Sequence, residues 1–219
     1  MEYKYELHCH TGIVSRCGRV EPKEIVRLYK EKGYSGIVVT DHYSPMTFTP
    51  NWNPQKQIDF YVNGYKQMKK YEDETFSVLF GMEIRHYWSA NDYLIYGVEE
   101  DWLRQQGNLL NVFERELYDM VHSQGYLMYA AHPFRIGRTR CNPAYIDGVE
   151  IYNGKTEKAL NDKAYAWAKQ TGRLMVSGSD FHTADNLARG GIITDTPIKS
   201  NADLLETLRK QKFKMIQTY

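Results

Sequence analysis

Tyr5-Glu6-Leu7-His8-Cys9-His10-Thr11 is a short strand pattern that ends in two histidines two residues apart. In a strand, residues i and i+2 point to the same side, so His8 and His10 present their imidazoles together. Two neutral imidazoles converging at a strand end make half of a metal site. The pair becomes a site if further ligands arrive from other strand ends.

Outward from this stretch the chain alternates. Gly12 to Glu21 is rich in small and polar residues and reads as a loop. Pro22 opens a helix with an Ile25, Val26, Leu28 and Tyr29 stripe, and Gly33 ends it. Gly36 to Thr40 is a β-branched run, a buried strand that ends in Asp41-His42. A loop over 43–54 carries three prolines and Trp52. A helix over 55–71 leads to strands at 77–84 and 92–98. A helix over 108–124, a strand over 126–131 running into His132-Pro133, a strand over 148–153, a helix over 156–171, a strand over 174–180 and a helix over 201–211 complete the pattern. Residues 213–219 form a short tail. Strands alternating with helices predict a mostly parallel sheet with helices outside it. Seven such strands in 219 residues predict a distorted seven-stranded (β/α)7, TIM-like barrel. The eight-stranded form typically needs about 250 residues. No linker or repeat divides the chain, so 1–219 reads as one domain. An open doubly wound sheet is the alternative.

The distribution of ligand residues favours the barrel. The strand ends carry His8 and His10, then Asp41 and His42, then Glu83, then His132, then Asp180 and His182. Asp92 begins the fourth strand. In parallel α/β architectures the site lies at the C-terminal strand ends, and a closed barrel gathers them around one mouth. Mixed imidazole and carboxylate donors suit Zn, Mn or Fe. The set exceeds what one tetrahedral ion takes, so two or three ions sharing a carboxylate are expected. Ions about 3.5–4 Å apart generate a bridging hydroxide and clamp the oxygens of a displacement at phosphorus. Simpler roles remain open for single members. Asp41 caps the following loop or acts in the site, Glu83 is an ion-pair partner or a ligand, and Asp180 caps a turn or binds metal. His86 and His122 lie away from the strand exits and read as structural or surface residues.

The bulk properties exclude several classes. With 42% hydrophobic and 25% charged residues, a core forms without disulfides. Cysteines at 9, 17 and 141 are odd in number and widely spaced, which is not a disulfide framework. A net charge of +1 supplies no global field for a nucleic-acid backbone, so stable nucleic-acid binding is not expected. No signal core or spanning segment is present, which predicts a soluble cytoplasmic protein with no membrane partner.

His8-x-His10, Thr40-Asp41-His42, Gly81-Met82-Glu83, Ala131-His132-Pro133 and Gly178-Ser179-Asp180-x-His182-Thr183, in this order, resemble the motifs of the polymerase-and-histidinol-phosphatase (PHP) family. The resemblance covers residues 7 to about 191. It implies a distorted (β/α)7 barrel, two or three divalent metals at its mouth, and phosphoester hydrolysis. It also implies a ligand set. His8, His10, Glu83 and Asp180 hold the first metal, Glu83 bridges to a second held by His132, and His42 and His182 hold a third. The chain departs from the family in two places. Cys17 stands in the loop where many members carry a histidine or aspartate, and is a soft substitute ligand that would favour zinc or a plain loop residue. Asp92 stands where some members place a histidine, as a ligand or a residue that opens the strand.

For a phosphate, arginine forks are the natural donors. Arg85 follows Glu83, and Arg135, Arg138 and Arg140 follow His132; Arg16 is a weaker candidate. Asn153 bonds substrate or caps the next helix. His42, His182 or Asp41 is the candidate to protonate the leaving alkoxide. Trp52 stacks on a base or sugar, or packs a lid. The expected substrate is a small phosphomonoester or a nucleotide phosphodiester. Two other readings are an amidohydrolase-type metal hydrolase, for which Glu83 stands in place of a lysine bridge, and a catalytically silent metal-binding barrel.

Overall fold

The computed structural model describes residues 2–219. In chain order the elements are β1 (Tyr3–Cys9), α1 (Pro22–Glu31), β2 (Gly36–Val39), β3 (His42–Tyr43), α2 (Pro54–Lys69), β4 (Ser77–Ile84), β5 (Asp92–Tyr96) and α3 (Glu100–Gln105). They continue with α4 (Glu114–Ser123), β6 (Leu127–Ala131), β7 (Gly148–Asn153), α5 (Lys158–Thr171), β8 (Leu174–Gly178), β9 (Gly190–Thr194), α6 (Asn201–Lys210) and β10 (Lys214–Gln217).

The sheet runs β10-β9-β1-β2-β4-β5-β6-β7-β8, and β3 pairs with β4. Backbone bonds from Phe181 N to His8 O (3.0 Å) and from His10 N to Phe181 O (3.0 Å) join the exit of β8 to β1. The sheet therefore curls into a nearly closed barrel. The expected α/β barrel is present and its strands run mostly parallel, but the count of seven strands is corrected to ten, two of which are reversed. β5 runs antiparallel to β4 and β6, and β9 runs antiparallel to β1 and β10. The strands without a sequence signal have local reasons for lacking one. β9 opens on Gly190-Gly191, where a side chain on Gly190 would meet the Gly178 backbone at 2.2 Å. β10 is exposed at both ends, so it shows no buried face. The antiparallel β5 has one further consequence: its first residue, Asp92, pairs with Ala131 at the exit of β6 and so reaches the same mouth as the other strands' last residues.

Side chains divide the core by strand parity. Val38, Leu79, Leu94, Tyr96, Tyr129 and Val176 fill the barrel. Their neighbours Phe80, Ile95, Met128 and Val149 face outward and pack under Ile58, Tyr61, Leu117 and Trp167 of the helices. In β1 this alternation breaks. Tyr5 and Leu7 belong to the interior, and Glu6 points out to Tyr29 of α1. Strict alternation would then send Cys9 inward and both histidines outward. A register shift between Glu6 and Cys9 marks a β-bulge, which inserts one residue and re-aims the strand. Beyond it Cys9 packs outward with Ile25 and Tyr29, and His8 and His10 face the barrel mouth. The Glu6 carboxylate pins the bulge by accepting from the N–H groups of Leu7 (3.0 Å), His8 (2.9 Å) and Ser179 (2.8 Å).

Candidate metal centre

The seven ligand candidates arrive from five strands. The bulge of β1 delivers His8 and His10, the turn into β3 delivers His42, β4 delivers Glu83, and β6 delivers His132. The exit of β8 delivers Asp180 and His182. His132 and Asp180 hold positive φ, at 32° and 53°, a conformation that costs a non-glycine residue about 1–3 kcal/mol and clusters at functional sites. Surrounding bonds hold both in place: His132 N donates to Glu150 Oε2 at 2.9 Å, and the Asp180 carbonyl accepts from Asn186.

The side chains converge in three overlapping groups, His8–Glu83–His132, His8–His10–Asp180 and His10–His42–His182, each with its ligand atoms within 4.8 Å of one another. His10 Nε2 lies 3.4 Å from both Glu83 Oε2 and Asp180 Oδ1. His8 Nε2 lies 3.5 Å from Glu83 Oε1 and 3.6 Å from Asp180 Oδ1. His42 Nδ1 is 2.6 Å from Glu83 Oε2, yet that oxygen has no aligned hydrogen bond. Glu83 Oε2, His8 Nε2 and His10 Nε2 are all buried without a hydrogen-bond partner, and His132 reaches the other Glu83 oxygen through Nε2 at 2.9 Å. Unpaired buried polar atoms of this kind cost about 1–3 kcal/mol each. Here they share one small space and are lone-pair donors, so divalent cations fit the residues present.

The electrostatics of the cluster agree. Burial opposes charge on His8, but Glu150, Asp180 and Glu83 outweigh it and raise its pKa well above the usual range. Burial, with His182 and His42 nearby, holds His10 well below it. Burial raises Glu83 and Asp180, but facing imidazoles more than compensate and hold both carboxylates well below their ordinary values. The two acids are thus ionised and His10 is held neutral, the forms that coordinate metal, whereas His8 holds a second proton that it would release on binding a cation.

A second set of side chains fixes these ligands. Glu150 Oε1 lies 2.7 Å from His8 Nδ1. A carboxylate oxygen here accepts, so Nδ1 carries a proton, and Nε2 is the nitrogen that would turn a lone pair to a bound cation once its own proton has left. Glu150 Oε2 also accepts from Asn153 Nδ2 at 3.0 Å. His10 Nδ1 lies 3.1 Å from Ser15 Oγ, and Ser15 donates to Asp41 Oδ1 at 2.7 Å. Asp41 further accepts from Thr11 N (2.7 Å) and Thr11 Oγ1 (2.8 Å), so it supports His10 through Ser15. Glu6, Ser15 and Glu150 had no role in the sequence reading. Glu150 was legible in principle, as a carboxylate inside the apolar run Val149-Glu150-Ile151.

The remaining candidates divide. Asp92 is buried, and its carboxylate accepts from Arg85 (Nη2, 2.7 Å) and Arg138 (2.6 Å); its distance from His132 Nε2 is 3.7 Å. Arg135 donates to Asn153 Oδ1 and Asp180 Oδ2, both at 2.6 Å, so Asn153 joins the site. Arg138 Nε is buried and unpaired. Arg140 and Arg16 are exposed. Cys17 lines the same cavity as His42 and joins none of the three convergent groups; burial would raise its pKa, but the imidazoles of His182 and His42 bring it down to about 6. His86 Nδ1 donates to Leu109 O at 3.1 Å, and His122 is on the surface beside Asp147, both apart from the cluster. Trp52 packs edge-on to Phe60 at 5.2 Å under Lys56, as part of a packed loop.

A barrel mouth that gathers His8, His10, His42, Glu83, His132, Asp180 and His182 could hold metal ions, as the site of a metal-dependent hydrolase does. The chain belongs to the PHP family: residues 6–166 match the PHP domain, and residues 158–213 match the PHP-associated family. No curated protein sequence matches it. In fold it is similar to PsfC from Pseudomonas syringae PB-5123, at 14% identity over 99% of this chain and 92% of that one, with a TM-score of 0.73. A protein assigned as a metal-dependent phosphoesterase from Bifidobacterium adolescentis aligns at 14% identity over 94% and 96% of the two chains, TM-score 0.57. An amidohydrolase from Chromobacterium violaceum with bound sulfate aligns at 13% identity over 93% and 96%, TM-score 0.59. Among the described residues no helix is long and apolar enough to cross a membrane.

Proposed function

We propose that the chain hydrolyses a phosphoester, either a small phosphomonoester or a nucleotide phosphodiester, with two or three divalent ions of Zn, Mn or Fe. His8, His10, Glu83 and Asp180 hold one ion, Glu83 and His132 a second, and His42 and His182 a third. When bound, these ions act as Lewis acids toward phosphoryl oxygens and make water acidic enough to ionise near neutral pH.

The observation that carries the reading is the meeting of the cluster with arginines. Arg135 shares Asp180 with the metal-binding set, and Arg138 keeps a buried, unpaired Nε beside Asp92. Guanidinium groups next to a ligand carboxylate orient a phosphoryl group and take up charge that grows on its equatorial oxygens. Asn153 ties Arg135 to Glu150, so the phosphate-binding and imidazole-orienting groups form one network. His42 is the imidazole of the cluster with an open edge, and in the two-metal form it is placed to protonate a departing alkoxide.

The test is turnover of p-nitrophenyl phosphate and its bis ester by protein loaded with Mn or Zn. Release of p-nitrophenol from either ester supports the reading, and the preferred ester separates mono- from diesterase. A metal-loaded protein inert on both esters refutes it. An amidohydrolase reading is favoured by the name of one structural neighbour and predicts release of p-nitroaniline from p-nitroacetanilide instead.

A further inference from the structure

The cluster is closed on most sides. The side chains of His8, His10 and Glu83 are 0% exposed and that of Asp180 is 2% exposed, whereas His42 is 24% exposed. The edge of His42 opens into a cavity of about 640 Å3. Arg16, Arg19 and Arg85 line that cavity, and no carboxylate of the described residues does. Arg85 is held by Asp92. Arg16 and Arg19 are exposed and have no ion-pair partner among the described residues. The facing wall is apolar. Met46 is 64% exposed there, and Phe48 is fixed edge-on against Tyr43 at 4.9 Å. Cys17 is the one acidic group on the lining among the described residues, so the three arginines leave the cavity with an excess of positive charge; an apolar wall with a few convergent charges is the form of a small-molecule site. Its charge selects anions, and a methionine beside an aromatic ring suits a flat apolar body.

We propose that this cavity receives the alcohol part of the phosphoester, and that the preferred alcohol carries a flat apolar body with a second anionic group. The assignment rests on the phosphoesterase reading above and adds the substrate class to it. The scissile phosphoryl group sits at the cluster beside Arg135 and Arg138. The ester substituent passes His42, lies against Met46 and Phe48, and presents its anion to Arg16 and Arg19. Hydrolysis breaks the P–O bond to this alcohol and forms a P–O bond to water. One proton of that water ends on the released alcohol.

The experiment compares kcat/KM of the metal-loaded full chain for phenyl phosphate, 4-carboxyphenyl phosphate and 4-(aminomethyl)phenyl phosphate. The carboxylated ester is expected to lead the neutral one by about tenfold or more, the scale of a charge-assisted contact, with the ammonium ester slowest. In the double variant Arg16→Ala/Arg19→Ala the ratio of carboxylated to neutral ester should fall about tenfold. The ratio between proteins cancels intrinsic leaving-group differences, and an unchanged Tm shows that the fold is kept. Equal rates on the three esters, a preference for the ammonium ester, or a ratio that survives in the double variant overturns the assignment while phosphoester hydrolysis stands. If none of the esters turns over, the pocket assignment falls, and the underlying reading falls with it if bis(p-nitrophenyl) phosphate is inert as well.

Discussion

Replacing Glu150 by glutamine keeps the shape of the side chain and removes one acceptor. In the structure the carboxylate faces three donors: His8 Nδ1 at 2.7 Å on one oxygen, and His132 N at 2.9 Å and Asn153 Nδ2 at 3.0 Å on the other. Glutamine has one oxygen. The position facing two fixed N–H donors takes it, so the amide NH2 turns to His8 Nδ1. That nitrogen must then accept, and the imidazole proton moves to Nε2, where it occupies the lone pair that points at Glu83 and Asp180. Loss of an orienting carboxylate behind a ligand histidine typically lowers metal affinity about 10–100-fold, or about 1.4–2.7 kcal/mol. The fold itself should hold, with a Tm lower by a few degrees for an imperfectly paired group. Metal affinity is measured by competition with a chromophoric chelator, and the tautomer of His8 by 15N NMR of the imidazole. Unchanged affinity together with an unchanged Nδ1–H tautomer would refute the claim that Glu150 sets the lone pair of His8.

Other perturbations test neighbouring parts of the structure. Glu83→Ala should abolish turnover and reduce bound metal measured by mass spectrometry, because this carboxylate reaches His8, His10, His42 and His132; full activity would show that the cluster is drawn wrongly. Glu6→Ala leaves the N–H groups of Leu7, His8 and Ser179 and the Tyr29 hydroxyl without their acceptor, so a loss of about 2–4 kcal/mol in denaturant unfolding is expected, and a loss below 0.5 kcal/mol would mean that the bulge does not depend on it. In Gly64→Ala the new Cβ would lie 2.3 Å from Asp41 Oδ2 and 2.7 Å from Thr11 Oγ1. A drop of about 1–3 kcal/mol from overpacking should therefore outweigh the helix-propensity gain, whereas a raised Tm would show that α2 gives way freely. Cys17→Ser should lower zinc content relative to manganese if the thiol completes the His42–His182 site, and unchanged content would leave Cys17 as a loop residue.

The pattern of alternating strands and helices specified an α/β sheet with helices outside it, because buried parallel strands are short β-branched runs and helices show a 3.6-residue stripe, both local properties; the choice of a barrel over an open sheet came from the ligand residues. The ligand types were equally legible. Histidine and carboxylate at successive strand exits have few reasons to recur unless the exits meet, and the fold does bring His8, His10, His42, Glu83, His132, Asp180 and His182 together. Pairing partners are a different matter. The antiparallel direction of β5, which carries Asp92 to the mouth, and the addition of β9 and β10 depend on contacts far along the chain that leave no period in the sequence.

What the tertiary structure alone decided is the aim of the side chains. In Tyr5-Glu6-Leu7-His8-Cys9-His10, the two-residue period places His8 with His10 and Glu6, on the face opposite Tyr5 and Leu7, and so would turn both histidines out of the barrel. The bulge held by Glu6 and Ser179, residues more than 170 positions apart, turns both histidines inward. Glu150 then selects the nitrogen that His8 offers, through a bond across 142 positions. Residue identity is a property of the chain, so the ligand chemistry could be read directly. Orientation is fixed by hydrogen bonds between distant segments, and these exist only once the barrel has closed.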